Sequence, residues 1–268
     1  MSTRFLSMLL TLMLAATATA ADEMPDPQEI LEKMIAAAGG EAFAGLGILE
    51  LEVTVEEIRN DGTQSGRSFT LIVDTSNLDN LRMELPGEVV VAASKGGGWS
   101  TTANVLDDRP QVSKMARQTI NQSAFSLLLP FSLQMEGVWL KEVRETQLDG
   151  RDVWVITLPF SKGFFVSPVM ETTWILVVAK DDYSIHSLEF APAPAFADVS
   201  PVGVRYRILK QKEIDGATIA EQMLATGINS QYQESGANRV TRMVVKVRPW
   251  DPTLFLNPAQ LEALEKDD

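Results

Sequence analysis

ILELEVTVEEI, residues 48–58, decides the fold class because it alternates. Leu49, Leu51, Val53 and Val55 are apolar, and Glu50, Glu52, Thr54 and Glu56 stand between them. A period of two makes a strand with one buried face and one wet face. Just upstream the period is 3.6. Asp26 predicts an N-cap, Pro27 takes the first helical position and Glu29 completes a capping box. Ile30, Met34, Ile35 and Ala38 form the apolar face of this helix, and Gly39-Gly40 ends it.

Downstream the alternation continues. Asn60-Asp61-Gly62 is a hairpin turn, as are Asp149-Gly150 and Asp215-Gly216, and Lys180-Asp181-Asp182 marks another turn. Strand-like runs follow at SFTLIVD, NLRMEL, EVVVAA, VWLKEVRETQL, DVWVITL, TTWILVVA, SIHSLEF, GVRYRILKQ, TIAEQMLAT and VTRMVVKVR. About ten or eleven strands joined mostly by short turns predict a mainly β (α+β) chain built on one large antiparallel sheet. Three segments interrupt it. Residues Pro110 to Leu133 read as a helix with Val112, Met115, Ala116, Ile120 and Ala124 on one face, followed by the uncharged run SAFSLLLPFSL. Pro130 should break that helix and release Phe131 to Leu133 in extended form. The second interruption is PFSKGFFVSPVM, Pro159 to Met170, and the third APAPAFADVSPVG, Ala191 to Gly203. Asn257-Pro258 starts a short final helix through Leu261 and Leu264.

The chain has 268 residues and a formal charge of -13. Its first twenty residues read as a cleavable secretory signal, with Arg4, the largely apolar run Phe5 to Leu14, and Ala18-Thr19-Ala20 before the cut. That run is short of the roughly twenty residues needed to span a bilayer. Residues 21–268 then form one domain, and the protein is expected to be exported. The acidic balance argues against nucleic acid and against anionic lipid headgroups as electrostatic partners. Cysteine is absent, so the fold holds by packing, and neither a lipidated anchor cysteine nor thiol chemistry is available. The one histidine, His186, lies in a strand-like run and reads as a surface residue. No phosphate loop, hydrolase elbow or zinc motif is present, so no catalytic residue, metal or cofactor is assigned.

Several groups invite two readings. Glu50, Glu52 and Glu56 share a strand face, which fits either a wet surface or a carboxylate cluster. Phe125, Leu127, Leu128, Leu129 and Phe131 are either core or the wall of a ligand cavity. Phe164 and Phe165 beside Lys162-Gly163 form either an exposed apolar patch or a loop folded back over the sheet. Trp154 and Trp174, in neighbouring strands, pack in the core or stack on a ligand.

The order of elements resembles the periplasmic outer-membrane lipoprotein carrier (LolA/LolB-like) superfamily. The resemblance is carried by the capped helix with AAAGGEAFAGL, the alternating ILELEVTVEE, the central greasy helix, LDGRDVWVITL, the WILVVAKDDYSIHSLEF and IDGATIAEQ hairpins, and a final VRPWDPTLFLNP. It implies a strongly curved antiparallel sheet, an incomplete barrel closed by a few helices. It also implies an apolar interior for a lipid, an acyl chain or lipoprotein acyl groups, held by Phe125, Leu127, Leu128, Leu129, Phe131, Trp154, Phe164, Phe165 and Trp174. On this reading the protein is a non-enzymatic, monomeric carrier with a hydrophobic ligand, served by an envelope protein or inner-membrane exporter. The other reading is an envelope sensor or interaction module acting through exposed apolar loops.

Overall fold

The computed structural model describes residues 24–58, 61–95, 97–166, 174–190, 203–229 and 233–267. The expected signal segment, the proline-rich interruption up to Val202, and residues 167–170 of the second interruption lie outside these. The described strands form one antiparallel sheet of 13 strands in the order β6-β5-β4-β3-β2-β1-β13-β12-β11-β10-β9-β8-β7. It curves without closing, and helices stop the opening.

The sheet is two meanders joined at their ends. β1 (Ile48–Ile58), β2 (Gln64–Asp74), β3 (Leu81–Leu85), β4 (Val89–Ser94), β5 (Gly97–Thr102) and β6 (Val105–Leu106) step outward to one edge. β7 (Val143–Leu148) begins the other edge, and β8 (Arg151–Leu158), β9 (Trp174–Ala179), β10 (Ile185–Phe190), β11 (Gly203–Ile214), β12 (Ala217–Ile228) and β13 (Glu234–Arg248) step back to the centre. There β13 pairs with β1 over the full length of β1, from Ile48↔Arg248 to Ile58↔Asn238. The Asp-Gly turns behave as predicted: Asp149-Gly150 and Asp215-Gly216 carry positive φ at both residues and join strands in two-residue hairpins.

Alternation in β1 sorts the two faces. Leu49, Leu51, Val53 and Val55 are buried on the concave face. Glu50, Glu52 and Glu56 lie on the convex face and pair across the ladder with cations of β13: Glu50 with Arg248, Glu52 with Lys246, and Glu56 with Arg242 at 2.6 Å. The wet-face reading of these carboxylates is therefore the one the structure shows. The C-terminal segment reaches the same convex face, where Phe255 packs on Ile48 and Ile72 and its carbonyl accepts from Trp99 Nε1 at 3.1 Å. α4 (Pro258–Asp267) follows.

α1 (Pro27–Ala37) starts as predicted, with Asp26 accepting from the Gln28 backbone at 2.8 Å. Glu29 pairs with Lys33 at 2.6 Å and does not complete a capping box. Its buried face is Ile30, Leu31 and Met34. Gly39 turns the chain at φ 79, with its α-carbon so close to the Gly216 carbonyl that a side chain would overlap it. Past this turn the chain forms a second short helix, α2 (Gly40–Gly45), which buries Phe43.

α3 (Val112–Ala124) buries Val112, Ala116, Ile120 and Ala124, one residue every four. Met115, expected on this face, is exposed, and Asn121 is buried in its stead. Beyond α3 the chain makes tight turns through a cis Leu129-Pro130 bond into a 3-10 turn, Phe131–Gln134. The expected extended tail is absent because Ser132 and Leu133 fold back: the Ser132 hydroxyl donates to the Phe125 carbonyl at 2.6 Å, and the Leu133 amide to Pro130 at 3.1 Å. Among the described residues, no helix is long and apolar enough to cross a membrane.

Asp74 ties the β2–β3 turn to the C-terminal segment. It is buried and accepts from Ser76 Oγ at 2.7 Å, Asn80 Nδ2 at 3.0 Å and Trp250 Nε1 at 3.3 Å. Burial pushes its pKa up, but these donors together outweigh burial and hold it below the ordinary aspartate value. A depressed carboxylate stabilises the fold above its unfolded pKa of about 3.9 and loses that contribution as pH falls through the folded value. We expect Asp74→Asn to cost about 2 kcal/mol at pH 7 in denaturant titrations. The gap from the native chain should narrow as pH falls from 4 towards 2; a gap independent of pH would show that the charge does not contribute.

Candidate functional site

Nine residues were expected to hold an apolar ligand, and the structure places most of them in solid core. Phe125, Leu127, Leu128, Leu129, Phe131, Phe164, Phe165 and Trp174 are all buried, none more than 5% exposed. Phe131 stacks on Phe43 of α2 with ring centroids 3.7 Å apart. Phe125 meets Phe160, Phe164, Phe165 and Trp174 edge-on, at 5.1 to 6.1 Å. Such edge-to-face pairs add about 0.5–1.5 kcal/mol each to area burial. Trp174 in turn stacks with Phe165, Phe190 and Tyr206.

The exposed-patch reading of Phe164 and Phe165 is corrected here. Both rings are inside, at 3% and 1% exposure. The loop bends back because α3 holds its carbonyls: Gln118 Nε2 donates to Phe165 at 3.1 Å and Asn121 Nδ2 to Phe164 at 3.3 Å. Two adjacent rings can both point inward because this segment is a turn and not a strand. Trp154 is half-buried on β8, away from this cluster, and its ring is capped by Lys180 Nζ at 3.9 Å from the centroid.

The space lies at the opposite end of β1 from α1 and α2. A cleft of about 400 Å³ opens between α3 and the concave face. Its floor is Val53 and Val55 of β1, Phe69 of β2, Phe190 of β10 and Tyr206 of β11. Its roof is Thr119, Gln122, Ser123, Ser126 and Leu127. Leu127 is thus the one of the nine expected residues that reaches this cleft. A second cleft of about 810 Å³ adjoins it, sharing Arg67, Phe69, Thr119 and Ser123 and extending to Met83, Leu85 and Pro86. Clefts of several hundred cubic ångströms, here with an apolar floor and a mostly polar roof, suit a small ligand.

Register fixes the polar groups at this opening. Arg67 stands opposite Val55 on the concave face. A single row then crosses the sheet through Glu57, Arg239, Ala225, Tyr206, Leu188, Leu176 and Ile156. Burial pushes the Tyr206 hydroxyl up in pKa, against the pull of the Arg239 and Arg67 charges. Sequence reading missed Arg67, Arg239, Tyr206, Thr119 and Ser123. The first two carried a signal, since Arg67 keeps step with Phe69, Leu71 and Val73, and Arg239 with Thr241, Met243 and Val245.

A further groove of about 620 Å³ runs beside α1 and α2, past Leu31, Ile35, Phe43 and Leu78. It lies outside the concave interior. Among the described residues, no group of three or more histidine, cysteine, aspartate or glutamate side chains is placed to hold a metal ion.

The architecture has counterparts among solved structures. The LolA superfamily protein NE2245 from Nitrosomonas europaea superposes with a TM-score of 0.59 at 13% identity, over 87% of this chain and 98% of its own. A DUF1329 family protein from Desulfovibrio piger gives 0.57 at 15% identity, over 88% and 99%. The fold is LolA-like. An outer membrane lipoprotein-sorting protein domain from Vibrio parahaemolyticus also matches, at 0.50 and 12% identity over 88% and 99%. No family model matches the sequence, and no curated protein does. At these identities the LolA-like likeness is one of fold.

The core assignment of the aromatic cluster has a direct consequence. Phe125→Ala should cost about 3–5 kcal/mol in denaturant unfolding, as truncation of a fully packed aromatic does. Met115→Ala, on the exposed side of α3, should stay within about 0.5 kcal/mol.

Proposed function

We propose that the protein is an exported, periplasmic binding or carrier protein for an apolar ligand such as a lipid, an acyl chain or lipoprotein acyl groups, and that it works by binding and not by catalysis. One observation carries this reading. At the upper end of the concave face, the interior of the curved sheet is left open as a cleft floored by Val53, Val55, Phe69 and Phe190 and roofed by α3. Apolar side chains at the floor of a cleft of this size favour occupancy by an apolar molecule. The LolA-like fold supports the same reading, since one structural counterpart is described as an outer membrane lipoprotein-sorting domain. The site shifts from the nine residues of the sequence reading to Val53, Val55, Phe69, Phe190, Tyr206 and Leu127. The sensor reading rested on exposed apolar loops; Phe164 and Phe165 of one of them are buried, which removes their part of that motivation.

Ser123 faces both clefts from α3, and a large side chain there would fill them. Delipidated protein should take up a fluorescent fatty acid, and Ser123→Trp should weaken uptake by at least about tenfold while leaving the melting temperature nearly unchanged. Native protein that takes up no acyl probe would refute the carrier reading. Full uptake by Ser123→Trp would move the site elsewhere.

A further inference from the structure

The chain is strongly acidic, and its arginines are almost all spoken for. Arg82, Arg109, Arg117, Arg144, Arg151, Arg205, Arg207, Arg242 and Arg248 each lie within ion-pair distance of a carboxylate. Among the described arginines the exceptions are Arg67 and Arg239, and both line the mouth of the cleft. They sit on separate strands, β2 and β13, with β1 between them, and both belong to the concave face by register. Glu57 stands opposite Arg239 in the ladder and has an interaction partner of its own.

Two guanidinium groups at the rim of one cleft, neither within ion-pair distance of a described carboxylate, favour an anion there. Their fork of donors matches an oxyanion of carboxylate or phosphate geometry. Tyr206 of β11 lines the same cleft, two strands beyond Arg239, and the charges of both arginines act on its hydroxyl. Behind them the cleft has an apolar floor, Val53, Val55, Phe69 and Phe190, under a roof in which Leu127 stands among Thr119, Gln122, Ser123 and Ser126. The arrangement sets two cations at the mouth of a cleft with an apolar floor, and an amphiphile likewise joins a charged head to an apolar chain.

We infer that the ligand is an anionic amphiphile, with its oxyanion head held by Arg67 and Arg239 beside Tyr206 and its chain laid between α3 and the β1–β2 floor. This rests on the carrier reading and narrows it: the site selects the charge of the head as well as the chain. It also gives the acidic protein a local exception, a positive rim that admits an anion where the rest of the surface repels one.

The test compares three ligands that share one C18 chain: oleate, 1-oleoyl lysophosphatidate and neutral 1-monoolein. Each is titrated calorimetrically into delipidated protein below its aggregation concentration. The two anions should bind at least about tenfold more tightly than monoolein, as expected for charge-assisted hydrogen bonds to a semi-buried head. Preference for lysophosphatidate over oleate would assign the head to a phospholipid, and the reverse order to a free fatty acid. The double variant Arg67→Gln, Arg239→Gln should lose the advantage of the anions while keeping monoolein affinity. Glu57→Gln, which removes a nearby negative charge, should tighten anion binding. Equal binding of all three ligands by the native protein, or a preference for anions that survives in the double variant, would overturn the inference and leave the carrier reading intact. Binding of none of the three would overturn both.

Discussion

The pairing of β1 with β13 governs everything else in this molecule. It joins the first and last strands at the centre of the sheet, which leaves β6 and β7, consecutive in sequence, at opposite edges. The chain between Leu106 and Val143 must therefore travel from one edge to the other. A route over the concave face buries that connection against the interior of the curved sheet, and only an apolar segment can take it without stranding polar groups. That is why an acidic protein carries SAFSLLLPFSL. Its side chains fill the concavity, with Phe125 and Phe131 as the largest, and the helix before it supplies the polar groups that pin the neighbouring loop.

The same constraint explains why a cleft remains. β1, β2, β11, β12 and β13 run for 11 to 15 residues, whereas β3, β4, β5, β9 and β10 have only five or six. The crossing segment covers the part of the sheet where all strands are present. At the cleft end β2 extends beyond β3 by its residues 64–69, about 20 Å of strand, whereas β11, paired with β10 only at Val204 to Tyr206, extends at the opposite end towards α1 and α2. β2 gains its β3 partner only from Thr70 onward, so its first residues line an open edge. Val53, Val55 and Phe69 continue the apolar face into this overhang, and Arg67 and Arg239 end it. The cleft is thus a product of unequal strand lengths under a crossing of fixed reach.

Much of this was legible from alternation. ILELEVTVEEI assigned its own faces correctly, and the Asp-Gly turns placed two hairpins to the residue. Asp26 and Gly39 bounded the first helix for physical reasons that the structure repeats. The crossing segment was recognised as apolar, but its conformation was not: turn propensity around Pro130 could not reveal the hydrogen bond from Ser132 back to Phe125. Phe164 and Phe165 misled because their burial depends on Gln118 and Asn121, more than forty residues away in the chain. The nine expected ligand residues were chosen for greasiness, which in this fold marks what fills the barrel. The cleft is instead built where greasiness stops, at the ends of strands, and that location follows from relative strand lengths that no single segment reports.

The central claim is that the overhang beyond α3, and not the filled interior or the groove beside α1, receives the ligand. An anomalous difference map from crystals grown with a terminally brominated fatty acid tests this directly. The account predicts a bromine peak in contact with the cleft lined by Val53, Phe69 and Leu127, with the aromatic cluster around Phe125 undisturbed. A peak in the groove beside Leu31, Ile35 and Leu78, or one that displaces Phe125 or Phe131 from the interior, would contradict it.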